Sequence, residues 1–129
     1  MSAQLRLELA RAQGEEGMRA AAAHADAVDP GWTDVAFIFL VKFAQRATAA
    51  DRFTAEAITD AYAEDANFVQ PPDQRAWGGV FKKAANRGVL VIADYRGVRR
   101  KGHGTTGAKR YRSLVAGKPW SHIHLMEGA

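Results

Sequence analysis

The sequence contains no cysteine, which excludes disulfide bonds, thiolate zinc sites and cysteine nucleophiles. It also lacks a long hydrophobic run: the longest, Val35–Val41, is far shorter than the ~20 residues that span a bilayer. The N-terminus lacks the basic-then-apolar pattern of a secretion signal. These absences predict a cytoplasmic protein without a membrane partner.

Motifs that would indicate catalysis or ligand binding are missing as well. No serine lies in a nucleophile elbow, and no carboxylate pair has a catalytic setting. The glycine-rich stretch 102–109 lacks the spacing of a phosphate-binding loop. His122 and His124 would lie on one side of a strand, but two histidines do not complete a metal site. The sequence therefore predicts a protein that is not an enzyme and has no cofactor or metal.

What the sequence does contain is a separation of charge. The formal net charge of the 129 residues is +4. Residues 71–112 alone carry eleven basic and two acidic side chains, a net of +9. Residues 1–70 carry six basic and eleven acidic side chains, a net of −5. Such a concentration of positive charge in one third of a chain is typical of a protein that binds a polyanion.

The cationic segment has the order of a recognition helix followed by a β-hairpin wing. Asp73 can cap a helix whose apolar residues recur at helical spacing, and Gly88 can end it. A β-rich run, a basic glycine-rich loop and a second β-rich run follow. We therefore predict a recognition helix at about 73–88 and a wing at about 89–116.

Three further helices are predicted before this segment. They cover residues 15–28, 34–47 and 54–65. Residues 1–14 are predicted to be flexible, because Gly14 and Gly17 would interrupt a helix there. The predicted fold class is α+β: a mainly helical winged helix-turn-helix with a C-terminal β-hairpin. It would form a single domain over 15–116, followed by a tail at 117–129.

The orientation of the predicted recognition helix follows from its large apolar residues. Trp77 and Phe81 are expected to be buried. Their expected neighbours are Ile58, Tyr62 and the helical residues 35–43. The residues then facing outward are Arg75, Gly79, Lys82 and Asn86, flanked by Gly78 and Lys83.

These outward side chains are of the kinds that contact DNA. Arginine and asparagine recognise guanine and adenine edges in a major groove, and Gly79 would let the helix backbone approach closely. The wing cations suit phosphate contact or insertion into a minor groove. The predicted DNA-binding residues are Arg75, Gly79, Lys82, Lys83, Asn86, Arg87, Arg96, Arg99, Arg100, Lys101, Lys109, Arg110 and Arg112. The alternatives are a solvated basic helix face and a solubilising loop.

Several short motifs carry a resemblance to a known family. They are Ala21-Ala22-Ala23-His24-Ala25, Pro30-Gly31-Trp32, Phe53-Thr54-Ala55-Glu56, Arg75-Ala76-Trp77-Gly78-Gly79-Val80 and Gly102-His103-Gly104. With these motifs the chain resembles small, mostly uncharacterised winged-helix proteins of bacteriophages and prophages of proteobacteria, often found near replication or regulatory genes. The resemblance implies a phage origin, a bacterial host cytoplasm and a DNA-binding type of fold.

Two hypotheses of function remain open. The first is a phage regulatory or replication accessory protein that binds duplex DNA. The second is a protein-interaction module that inhibits a host nucleic-acid machine, as an anti-CRISPR or host-takeover factor would. The small-residue face of the helix at 15–28 packs against another helix, either in the same chain or in a second copy of a homodimer.

Overall fold

The computed structural model describes residues 2–98 and 106–123. Its elements are α1 (Ala3–Val28), α2 (Trp32–Arg46), α3 (Ala55–Glu64), α4 (Ala76–Asn86), β1 (Leu90–Val98), β2 (Thr106–Ser113) and a 3₁₀ turn (Trp120–His122). The described strands, β1 and β2, form one antiparallel hairpin. The predicted α+β class, mainly helical with a C-terminal hairpin, is confirmed. No helix in these two ranges is long and apolar enough to cross a membrane.

The first helix is much longer than the sequence suggests. It runs without a break for 26 residues, and the hydroxyl of Ser2 caps it by accepting from the Leu5 amide at 3.1 Å. The expectation that Gly14 and Gly17 interrupt it is wrong. A glycine costs only ~1 kcal/mol relative to alanine, and the surrounding alanines and leucines favour the helix. The flexibility of residues 1–14 stays a prediction.

A carboxylate of α1 caps the start of α2. The two oxygens of Asp26 accept from the backbone amide and the hydroxyl of Thr33, at 2.9 and 2.8 Å. Gly31 makes the connection in the left-handed region, with φ 82°. The helix begins at Trp32, two residues before the predicted start, and Thr33 lies in its first turn. The cap therefore joins α1 to α2 and holds both helices in one arrangement.

Large aromatic side chains form the centre of the core. Trp32, Tyr62 and Trp77 meet edge to face, with ring centroids of Trp77 5.4 Å from Trp32 and 5.0 Å from Tyr62. Phe81 stacks on Tyr111 of β2 at 5.6 Å. Trp77 is 3% exposed and Phe81 is 8% exposed, which confirms their predicted burial. Burial also raises the pKa of Tyr62 above its usual value.

The connection between α3 and α4 spans residues 65–75, longer than the 3–4 residues of a tight helix-turn-helix. It is nevertheless fixed to the core. The indole Nε1 of Trp32 and the hydroxyl of Tyr62 both donate to the carbonyl of Val69, at 3.1 and 2.6 Å. This carbonyl satisfies two polar groups of the core and thereby positions the segment that leads into α4.

The helix α4 ends as predicted and begins differently. Gly88 has φ 76°, the Val89 amide donates to the Ala84 carbonyl, and the Gly88 amide donates to the Ala85 carbonyl. These two bonds form a Schellman motif, which requires the left-handed conformation that glycine adopts most easily. At the other end, Asp73 starts a turn before the first helical residue instead of capping it.

The hairpin packs on the helices at its base. The backbone of Phe53, just before α3, exchanges two hydrogen bonds with Tyr111, at 3.1 and 2.7 Å. Gly97 is buried, and a methyl group there would lie 2.8 Å from the Thr54 side chain and from the Ala108 carbonyl. The short segment before α3 thus adds an edge to β2. The predicted tip, with Arg99, Arg100 and Lys101, lies outside the described residues.

The segment after β2 returns to α2. The Gly117 amide donates to the Gln45 carbonyl at 2.9 Å, and the Gln45 side chain donates to the Lys118 carbonyl at 3.0 Å. Ile123 packs partly buried against the core, whereas Trp120 is 52% exposed. Backbone and amide contacts, rather than the tryptophan ring, therefore attach this segment.

Candidate nucleic-acid interface

The predicted outward face of α4 is partly covered by α1. A methyl group at Gly78 would overlap the side chain of Met18, whereas one at Gly79 would meet nothing within 4 Å. Gly78 thus allows close approach of two helices, while the neighbouring glycine points to open space. Asn86 is also exposed. The face that could approach a ligand is therefore narrower than the sequence predicts.

Carboxylates of the neighbouring helices lie on both sides of this face of α4. The ammonium of Lys82 is 3.9 Å from Glu15 of α1, and that of Lys83 is 3.9 Å from Asp34 of α2. Each exposed pair contributes little to stability, at ~0–1 kcal/mol. The acids nevertheless lower the positive potential of the surface. Any polyanion that approaches α4 would also approach these carboxylates.

Arg75 has an acidic partner in its own turn. Its Nε and Nη2 donate to the carboxylate of Asp73 at 3.0 and 2.7 Å. This bond lowers the pKa of Asp73 and raises the pKa of Arg75. A methyl group at Gly17 would lie 3.2 Å from the guanidinium, so Arg75 also lies beside α1. Of the four cations on or beside α4 that are named as DNA ligands, three thus have a carboxylate nearby: Arg75, Lys82 and Lys83.

The hairpin contains one pair of the same kind. Arg110 donates from Nε and Nη2 to the two oxygens of Asp94, both at 2.7 Å. This bidentate bond holds the pKa of Asp94 well below its usual range and raises the pKa of Arg110. The sequence predicts that Arg110 contacts DNA, but its guanidinium is already engaged across the two strands.

The other described cations of the hairpin region differ. Arg96, Lys109 and Arg112 are exposed, and Arg87 is half-buried at the end of α4. None of these four forms an ion pair with an acidic side chain in residues 2–98 or 106–123. Arg96 does have Asp94 nearby, whose carboxylate accepts from the Arg96 amide at 3.0 Å. These cations are available to an external anion.

The structure also shows a groove that the sequence does not predict. It has a volume of about 710 Å³ and lies between α2, α3 and the loop that joins them. Four partly buried phenylalanines form its floor: Phe39, Phe43, Phe53 and Phe68. The cations Lys42 and Arg46 of α2 line its edge. The apolar residues of α2 indicate a helix buried on most sides, so the sequence predicts that Phe39 and Phe43 belong to the core.

No metal site is present in the part of the chain that is described, which contains no group of three or more histidine, cysteine or carboxylate residues placed to hold an ion. His124, half of the predicted histidine pair, lies outside it. No family model, no curated protein and no solved structure matches this chain. The resemblance to phage winged-helix proteins therefore stays a prediction, and function must be argued from the residues themselves.

Proposed function

We propose that this protein is a winged-helix protein that binds duplex DNA chiefly through phosphate contacts of its hairpin. The observation that carries the proposal is the set of exposed hairpin cations without acidic partners among the described residues, above all Lys109 and Arg112. Cations of this kind neutralise phosphates and release counterions, which favours binding. The phage regulatory or replication role remains part of the proposal.

The order of elements supports a winged helix. Helix α2, the Phe53 bridge, helices α3 and α4, and then the hairpin follow one another as in that fold. Here the long helix α1 is an addition before it. The long connection at 65–75 is a departure from the tight helix-turn-helix, although Val69 holds it in place.

In this proposal α4 has a smaller role than the sequence suggests. A major groove ~12 Å wide admits one helix, which with its side chains is itself ~10–12 Å across. The flanking helices α1 and α2 limit how far α4 can enter. Its open positions, Gly79 and Asn86, can approach the DNA surface, while most of the binding energy comes from backbone contacts. Binding is therefore expected to depend weakly on sequence.

The test is a salt titration of binding to fluorescent duplex DNA. Replacing Lys109 and Arg112 by Gln should weaken binding to every duplex and lower the salt slope by up to ~1.8, at ~0.9 for each phosphate that is no longer neutralised. A charge-matched control replaces Arg6 and Arg11, two exposed cations of α1, by Gln. The control should retain the parent slope. Equal losses in both variants would contradict a specific role for the hairpin.

The aromatic groove favours a second candidate, a protein-interaction module. Exposed aromatic floors with a charged edge are typical of surfaces that receive a peptide or a helix. If the parent protein shows no salt-sensitive binding to any duplex at low salt, the DNA-binding proposal fails. The protein would then be better explained as an inhibitor that docks on a host nucleic-acid machine.

A further inference from the structure

The N-terminal part of α1 extends beyond the core. We name Ala3–Gly14 the arm; every residue in it is exposed, including Leu5, Leu7 and Leu9. The arm is a continuation of the packed part of α1 but is itself unpacked, and most helical stability in proteins comes from packing of an apolar face. The arm is therefore expected to be covered by another surface.

One face of the arm is suited to such packing. Leu5, Leu9 and Ala12 follow the i, i+4, i+7 spacing and form one apolar stripe. Glu8 borders this stripe and Glu16 continues it just beyond the arm, whereas Arg6 and Arg11 lie farther round the helix, so the charge beside the stripe is negative. The stripe faces away from the side of α1 that enters the core, so the folded chain itself does not cover it.

The groove has the complementary character. Its phenylalanine floor continues along α2 to Val35 and Ile38, which are 42% and 41% exposed. Lys42 and Arg46 are exposed on this same face of α2. Neither forms an ion pair within the described ranges. The surface is thus an apolar strip with free positive charge.

The acids of the groove reduce this charge without cancelling it, because three cations, Lys42, Arg46 and Arg52, face two acids, Asp51 and Asp65, in its lining. Asp51 accepts from the Thr48 amide and Asp65 accepts from the Asn67 amide, both at 2.9 Å. The guanidinium of Arg52 donates to three backbone carbonyls of its own loop, at 3.1–3.2 Å. The groove therefore offers a ligand an aromatic floor with a net positive charge.

The two surfaces also match in length. Leu5 to Ala12 of the arm and Phe39 to Arg46 of the groove each span seven helical steps, about 10 Å at ~1.5 Å per residue. An arm cannot reach the groove of its own chain, because α1 is one continuous helix. We infer that the arm of one copy docks, through Leu5, Leu9 and Ala12, into the α2–α3 groove of a second copy. Reciprocal exchange of two arms gives a closed homodimer.

Cross-linking can test this contact directly, because the chain has no cysteine of its own. A Leu9→Cys protein is mixed with an Ala47→Cys protein, Ala47 being a groove residue. Mild oxidation should give a mixed disulfide dimer in high yield. Ala23→Cys is the matched control, since it is exposed on the same helical face of α1 but outside the arm. It should give several-fold less product with Ala47→Cys.

Light scattering gives an independent measure of the same contact. The parent should be a dimer at micromolar concentration, and a Leu5→Ala, Leu9→Ala double variant should be a monomer. Leu7→Ala should remain dimeric, because Leu7 is the most exposed of the three leucines and lies on another face. Circular dichroism should show each variant folded.

Two results would overturn the inference. A monomeric parent at all concentrations would exclude the exchange, and self-cross-linking of Leu9→Cys in preference to the mixed product would indicate contact between two arms instead.

Charge reversal is a further test of the contact: Lys42→Glu should weaken the dimer, and Glu8→Lys in the same chain should restore it. All of these measurements are made without DNA, so their failure is separate from failure of the proposed function.

Discussion

Helix α4 with its flanking residues and the described part of the hairpin each carry four cations, but most of the free charge is on the hairpin. On α4 and just before it, Lys82, Lys83 and Arg75 each have a carboxylate within 4 Å, contributed by a neighbouring helix or a nearby turn. Arg87, just after α4, has none among the described residues. On the hairpin, Lys109 and Arg112 have none among the described residues. The net charge of a segment therefore does not show which of its cations can bind a ligand, because their partners come from the tertiary structure.

The largest expected effect is a loss of stability when Trp77 is removed, because its ring packs α4 against Trp32 of α2 and Tyr62 of α3. Trp77→Ala should destabilise the protein by ~3–5 kcal/mol, the usual cost of truncating a buried large aromatic side chain. Denaturant unfolding would measure it. Trp120→Ala is the control, since that ring is 52% exposed and its removal should change stability little. If both variants lose equally little unfolding free energy, Trp77 does not anchor α4 in the core.

Adjacent glycines test whether α1 covers α4. Gly79→Ala should stabilise the protein by ~0.5–1 kcal/mol, because alanine favours the helix and its methyl group enters open space. Gly78→Ala should gain less or lose stability, because Met18 must move aside. Thermal unfolding of the two variants compares them directly. An equal gain at both positions would show that α1 does not pack against α4.

A smaller effect is expected at the ion pair of the hairpin. Because Arg110 lowers the pKa of Asp94 in the folded state, this pair stabilises the protein above the unfolded carboxyl pKa of ~3.9. That contribution is lost as the pH falls below ~4 toward the depressed folded pKa. Asp94→Asn should therefore unfold at a lower temperature than the parent at pH 7, and the difference should shrink in acid. If the difference in unfolding temperature between the parent and Asp94→Asn does not change with pH, the pairing of Asp94 with Arg110 is contradicted.

The same substitution sharpens the contrast between paired and free cations. Asp94→Asn releases Arg110 for contact with phosphate and removes a negative charge from the hairpin. Binding to duplex DNA should become tighter, and its salt slope steeper by up to ~0.9. If Asp94→Asn leaves affinity and slope unchanged, Arg110 does not lie at the interface.

Features determined by local sequence could be predicted. The end of α4 follows from Gly88, where a left-handed residue closes the helix, and the burial of Trp77 and Phe81 follows from helical spacing. The full length of α1 does not follow so simply, because Gly14 and Gly17 oppose the helix that the residues around them favour. In a long helix two glycines are tolerated.

Features that depend on distant residues could not be predicted. Nothing near Lys82 in the sequence indicates that Glu15 is its partner, and nothing near Gly78 indicates Met18. The floor of the groove and the core are made of the same apolar residue types, so the sequence predicts a core position for Phe43, which in the structure lines the groove. The sequence feature that could have indicated a groove is Lys42, a charged residue on the same face of α2.

The most direct test of the central claim compares two pairs of cations by their salt dependence on one duplex. One variant carries Lys109→Gln and Arg112→Gln, and the other carries Lys82→Gln and Lys83→Gln, so the loss of charge is equal. If the hairpin provides the free cations, the salt slope of the first variant should fall by up to ~1.8 while that of the second stays close to the parent. An equal fall in slope for the second variant would contradict the account, because it would show that the paired cations of α4 bind DNA equally well.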